Sequence, residues 1–183
     1  MEKTGIFIDG AYLTKVLKES FGRPAIDFAK FSAFLADGQP VLRTYYYNCM
    51  PYRSQPPTAE ESRKYANMQR FVTALENLDR YAVRLGKLAR RGFQADGTPN
   101  FQQKQVDILL ACDLVLLSAK QRIGRAVLIT GDSDFIPAIE VAKNEGVEIE
   151  LVYDTDHLPH TALIRIADVR RKLSQGDIDA VTV

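Results

Sequence analysis

The chain has 183 residues, 46% of them hydrophobic and 26% charged, with a formal net charge of +1. That is long enough to bury one core without disulfide staples, and the composition is globular rather than disordered or fibrous. The near-neutral charge argues against a strongly basic nucleic-acid coat but not against a local basic patch. No apolar run approaches the ~18 residues of a membrane span.

The N-terminus enters a strand pattern directly, without a signal peptide's apolar core. Cys49 and Cys112 read as reduced thiols rather than a disulfide. A cytoplasmic location without membrane attachment is therefore expected.

Residues 4–9 read as a first strand, and residues 11–19 as a helix stopping near Gly22-Arg23-Pro24. A second short helix covers 27–35 and ends by Gly38. Residues 41–48, with Tyr45-Tyr46-Tyr47, carry the aromatic content of a strand. After a loop at 51–57, Thr58 and Glu61 form a capping-box pattern that opens a helix to about residue 78. Tyr65, Met68, Phe71, Val72, Leu75 and Leu78 make its inner face. Residues 81–85 are a third strand, and Asp96-Gly97 signals a hairpin excursion from the sheet. A helix follows at 103–120, then a strand at 126–129, a helix to about 145 and a strand at 147–153. Residues 161–172 mix helix and strand signals, and 174–183 lack periodicity and read as a mobile tail. The alternation implies one α/β domain over residues 1–173, with a doubly wound, mostly parallel sheet.

Acids concentrate where such a sheet delivers ligands. Ala126-Val127-Leu128-Ile129 reads as a buried strand broken by Gly131, and Asp132, Ser133 and Asp134 can each cap the helix that follows. Capping alone would account for them. The chain begins the same way, however, with Gly5-Ile6-Phe7-Ile8 ending in Asp9-Gly10. Two strands thus offer acids at their carboxyl ends, where open α/β sheets bind ligands.

A third source is the stretch from Val106 to Leu117, apolar except for Asp107 and Asp113. It reads as a helix buried nearly all round, with Cys112 an inert thiol inside it. A buried carboxylate there needs a cation, Lys or Arg as partner. Asp113 lies about 240° around the helix from Asp107, which makes it the structural partner of an Arg or Lys rather than a second ligand of one ion.

Oxygen donors of this kind suit Mg²⁺ or Mn²⁺, which can activate water and brace an in-line displacement at phosphorus. Asp9, Asp107, Asp132 and Asp134 are the catalytic and metal-binding candidates. Asp132 is expected as a direct ligand and Asp134 through water, because capping competes for its oxygens. Arg84, Lys87, Arg90, Arg91 and Lys104 are substrate-side cations for a phosphodiester, with a solvated charge run the plain alternative. Tyr12 and Tyr52 offer stacking faces, although packing is the simpler reading for both. His157 and His160 have a zinc-like spacing, but no Cys lies near them. No glycine-rich phosphate loop or nucleophile elbow is present.

Phe7-Ile8-Asp9-Gly10, Lys104-Gln105-Val106-Asp107-Ile108 with Cys112-Asp113-Leu114, and Thr130-Gly131-Asp132-Ser133-Asp134-Phe135 resemble the NYN domain family. Within it they look like the LabA-like branch of the PIN-like nuclease superfamily. The blocks stand in the family's order, from Thr4 to about Leu173. The resemblance implies a three-layer α/β/α fold and a metal-dependent ribonuclease site at Asp9, Asp107, Asp132 and Asp134. Ile166-Ala167-Asp168 resembles a late family motif, which adds Asp168, with Asp113 and Ser133, as secondary candidates. Two departures stand out: Tyr12 where the family usually has Asn, and Gln105 where it commonly has Gly.

The leading expectation is a Mg²⁺- or Mn²⁺-dependent endoribonuclease acting on RNA, with room for a homodimer. The alternative is a non-catalytic RNA-binding or regulatory module with a degenerate site. A phosphatase with a strand-end Asp nucleophile ranks third, because its second acid would fall at position 11, which is Ala.

Overall fold

A computed structural model describes residues 2–93 and 99–183, without the side chains of 89–91, 93 and 99–104. Its strands are β1 (Thr4–Asp9), β2 (Val41–Cys49), β3 (Tyr81–Phe93), β4 (Pro99–Lys104), β5 (Arg125–Ile129), β6 (Glu148–Tyr153) and β7 (Val169–Lys172). The helices are α1 (Gly10–Glu19), α2 (Phe28–Ala36), α3 (Ala59–Glu76), α4 (Val106–Ala119), α5 (Ile136–Asn144), α6 (Thr161–Ile166) and α7 (Gln175–Ala180).

The strands form one sheet in the order β4-β3-β2-β1-β5-β6-β7. Every neighbouring pair from β3 to β7 is parallel, and only β4 runs antiparallel, along the far half of β3. The expected α/β class with a mostly parallel central sheet is the one found.

Side-chain alternation along the strands builds two cores, one on each face. Phe7, Ala126, Leu128, Ile149 and Leu151 face a layer holding Leu110, Leu114, Ile139 and Leu163 from α4, α5 and α6. Ile6, Ile8, Val127, Ile129 and Val152 face the other way, onto Leu13, Val16, Phe31, Leu35 and Leu75 from α1, α2 and α3. Tyr45 and Tyr47 stack beside Phe7 on the first face, while Tyr46 packs edge-on against Phe28 and Phe71 on the second. The three consecutive tyrosines are thus divided between the two cores.

The chain winds from β1 outward through β2 to β3, then returns to place β5 on the other side of β1. The order reverses between β1 and β5, and such a switch point opens a crevice at the carboxyl ends of the strands.

At the amino edge the charges are paired. Glu150, 3% exposed, lies between Arg125 and Arg171. These arginines also donate to the last carbonyls of α2: Arg171 to Phe34 (3.1 Å) and Leu35 (3.0 Å), Arg125 to Ala36 (3.0 Å). Charged donors at a helix C-terminus satisfy orphan carbonyls and favour the helix dipole.

Two expectations need correction. The α4 helix is not buried all round: Val106, Leu110, Leu114 and Ser118 face the sheet, whereas Ile108 (64% exposed), Cys112 and Leu116 (50%) are exposed. A helix lying on a sheet buries one stripe, and a uniformly apolar sequence conceals which stripe that is. The expected tail from Ser174 instead forms α7, opened by a Ser174–Asp177 capping box. It buries Ile178 and Val181, and Thr182 bridges to Ile26. The Asp96-Gly97 turn lies outside the described residues.

Candidate functional site

Asp9 ends β1 and caps α1. Its Oδ1 accepts from the amides of Ala11 (3.0 Å) and Tyr12 (3.2 Å). Gly10 is required beside it, since a Cβ there would come within 2.5 Å of the Tyr46 hydroxyl. Across the switch point, Asp132 caps the single 3-10 turn Ser133–Phe135 by accepting from the Asp134 amide at 2.9 Å. Thr130, fully buried, joins the two sides: its hydroxyl donates to Asp9 Oδ2 and accepts from the Asp132 amide, both at 3.3 Å. Thr130 opens the Thr130–Phe135 block, between the strand and the Gly-Asp break, but is not among the expected site residues.

Asp107 enters from the first turn of α4. Gln105, just before it, holds a left-handed φ of 75°. A glycine would take that conformation without a Cβ penalty, which gives a physical reason for the family's usual residue there.

The carboxylates act on one another. Burial raises the Asp9 carboxyl above its ordinary value, with the Asp107 charge adding to it, against the Tyr12 and Ala11 amides and the Thr130 hydroxyl. Loss of hydration comes first for Asp107 as well, followed by the charges of Asp132 and Asp134. Among the described residues, none of these four acids forms an ion pair with Lys, Arg or His.

The other expected residues fall elsewhere. Asp113 accepts from Tyr47 (2.9 Å) and pairs with Arg84 (3.1 Å), whose guanidinium also lies over the Tyr45 ring. Asp113 thus has the Arg partner expected of it, and Arg84 is committed to that pair rather than standing free for substrate. Asp168 lies at the amino edge, opposite the other acids, where it pairs with Lys143 (2.7 Å) and accepts from the Ile149 amide (2.9 Å). Burial works against that carboxylate, yet Lys143 and the amide hold it below the usual range. Ser133 lines the site cleft. Lys87 is exposed and its backbone pairs with that of Lys104; the side chains of Lys104, Arg90 and Arg91 lie outside the described residues.

A cleft of about 460 Å³ opens here, lined by Asp9, Tyr12, Lys15, Asp132, Ser133 and, from the loop after β6, His157, Leu158 and His160. That loop carries a polar network absent from the expected site. The His157 ring has Nδ1 3.0 Å from Asp154 and Nε2 2.6 Å from Glu19. Ser20 donates to Asp154 at 2.6 Å. Burial opposes charge on Asp154, but Ser20, His157 and nearby amides hold its carboxyl below the usual range. His160 instead caps α6, accepting from the Ala162 amide at 3.2 Å. The two histidines therefore have separate structural duties, unlike a zinc pair.

Hard oxygen donors without cationic partners fit Mg²⁺ or Mn²⁺ in chemistry. Among the described residues, however, no three His, Cys, Asp or Glu side chains form a group that could hold a metal ion. The expectation of a ready carboxylate cluster is corrected to that extent. Mg²⁺ needs less than a full cage, since it keeps several waters and takes one or two carboxylates. Among the described residues no helix is long and apolar enough to cross a membrane.

Residues 3–173 match the NYN domain. Over 80 residues, 44% of this chain, the sequence is 34% identical to an uncharacterized protein, y4oD, of Sinorhizobium fredii. The match spans about a third (33%) of that relative's length. The fold is similar to the crystal structure of a protein of unknown function from Vibrio parahaemolyticus, with a TM-score of 0.61 and 19% identity over 100% of this chain and 96% of that one.

Proposed function

From the premise that this chain belongs to the NYN domain family, we propose that it is a cytoplasmic, metal-dependent endoribonuclease of the LabA-like branch. One observation carries the reading. Asp9 and Asp132 line one cleft at the sheet's switch point, and after loss of hydration the charge of Asp107 raises the Asp9 carboxyl while those of Asp132 and Asp134 raise Asp107. Carboxylates that act on one another without a cationic partner among the described residues suit a hard divalent cation.

Asp132 and Asp9 are the residues that would hold the ion directly, with Asp107 a further ligand from the first turn of α4 and Asp134 acting through water. When bound, Mg²⁺ or Mn²⁺ supplies Lewis acidity toward a phosphodiester and acidifies water. The chain's own part is positioning. Backbone amides and Thr130 fix Asp9, the 3-10 turn fixes Asp132, and Lys15 beside the cleft offers a cation for a backbone phosphate. Exposed Lys87 could take the same role, and Lys104, Arg90 and Arg91 are candidates for it from the sequence. That no tight three-ligand group forms among the described residues favours one alternative, a module that binds RNA without cutting it.

Cleavage of labelled single-stranded RNA in Mn²⁺, Mg²⁺ or EDTA, with wild type beside Asp132→Asn, separates the two. The nuclease reading expects metal-dependent cleavage that falls at least ~100-fold in the variant. RNA binding without cleavage in every lane selects the binding module. Hydrolysis of a small phosphomonoester instead would point to phosphatase chemistry.

A further inference from the structure

Tyr12 touches all three loops that border the cleft. Its backbone amide donates to Asp9 at the end of β1. Its ring lies against Gly131 after β5, where an added Cβ would meet Cε2 at 2.8 Å. Its hydroxyl donates to the His157 carbonyl after β6, at 2.9 Å. The loop holding His157 is bound to the end of the same helix as well, through Asp154 and His157 to its C-cap Ser20 and through His157 to Glu19. The strap of residues 154–160 is therefore fastened to α1 and its C-cap through Asp154 and His157, and it supplies one wall of the cleft that contains Asp9 and Asp132. Burial lifts the Tyr12 phenol to about 12, so it remains a hydrogen-bond donor at neutral pH.

We propose that Tyr12 is a positioning residue with two separable duties: its ring sets Gly131, and through it Asp132, while its hydroxyl fixes the strap that walls the substrate cleft. The proposal rests on the nuclease reading, and its two duties divide between kinetic constants. Losing the hydroxyl loosens the wall that substrate binds against. Losing the ring also frees the loop that carries Asp132.

Tyr12→Phe and Tyr12→Ala test this through steady-state RNA cleavage in Mn²⁺, hydrogen exchange of residues 154–160 and calorimetric Mn²⁺ binding. Tyr12→Phe is expected to raise KM about fivefold with kcat within about twofold, and to speed exchange in the strap, as the loss of one hydrogen bond would. Tyr12→Ala should also lower kcat about tenfold or more through misplacement of Asp132. Unchanged KM and strap exchange in Tyr12→Phe would overturn the proposal. So would activity that falls in both variants only as their folded fraction falls. If the wild type cleaves no RNA, the nuclease reading fails by itself, and the other two measurements still decide on Tyr12. Faster strap exchange in both variants with weaker Mn²⁺ binding in Tyr12→Ala sustains its positioning role, and unchanged values reject it.

Discussion

The two edges of the sheet treat charge in opposite ways. At the amino edge, buried Glu150 is flanked by Arg125 and Arg171, and Asp168 by Lys143. Both of these acids have a cation, and each of the three cations has a second duty at a helix-end carbonyl. At the carboxyl edge Asp9 accepts from two amides and a hydroxyl and Asp132 from one amide, and among the described residues neither they nor Asp107 and Asp134 pair with a cationic side chain. Breaking a buried charge pair is costly, whereas the proposed reading gives the four acids at the switch point a partner from outside.

The contrast can be broken from the amino edge first. Glu150→Gln leaves two guanidiniums facing a neutral amide, and should cost about 3 kcal/mol, or roughly 10 °C in melting temperature. Thermal denaturation checks it, with RNA cleavage per folded molecule expected to stay near wild type. Asp113→Ala lies between the extremes. It strands the buried Tyr47 hydroxyl and releases Arg84, and should cost about 1–2 kcal/mol in chemical denaturation.

The smallest effect should carry the opposite sign. Asp9 has a raised carboxyl, so as pH increases the unfolded chain releases its proton first. Stability is then lost between the ordinary carboxylate range and the raised value, and remains lower above it. Asp9→Asn keeps a cap acceptor without the charge. Without metal it should melt a few degrees above wild type near about pH 7.5, with the gain vanishing below about pH 3.5. Melting scans across pH read this directly.

How far these regions were legible depended on whether their signal was local. Residues 126–135 announce a strand, a break and a cap within ten positions, and the acids found at the switch point are those the pattern singled out. Asp113 was legible by angle alone, since Asp107 and Asp113 cannot share one face of a helix. The strap network was not, because Ser20 and Asp154 meet across 134 positions. Asp168 shares a motif with the site but lies at the opposite edge, where the Ile149 amide and Lys143 hold it. The burial of α4 was overread because its sequence is apolar on both faces, while the structure covers only one. The helix after Ser174 is short enough for its capping box to be its main local signal.

The central claim is that Asp9, Asp107, Asp132 and Asp134 have no cationic side chain among the described residues because a divalent cation is their partner. Calorimetric titration of Mn²⁺ into the wild-type protein, Asp132→Asn and Glu150→Gln tests it most directly. The account predicts saturable binding in the wild type that strengthens with pH as Asp9 and Asp107 ionise, is kept in Glu150→Gln and is lost in Asp132→Asn. No binding in the wild type, or equal binding in Asp132→Asn, would contradict it.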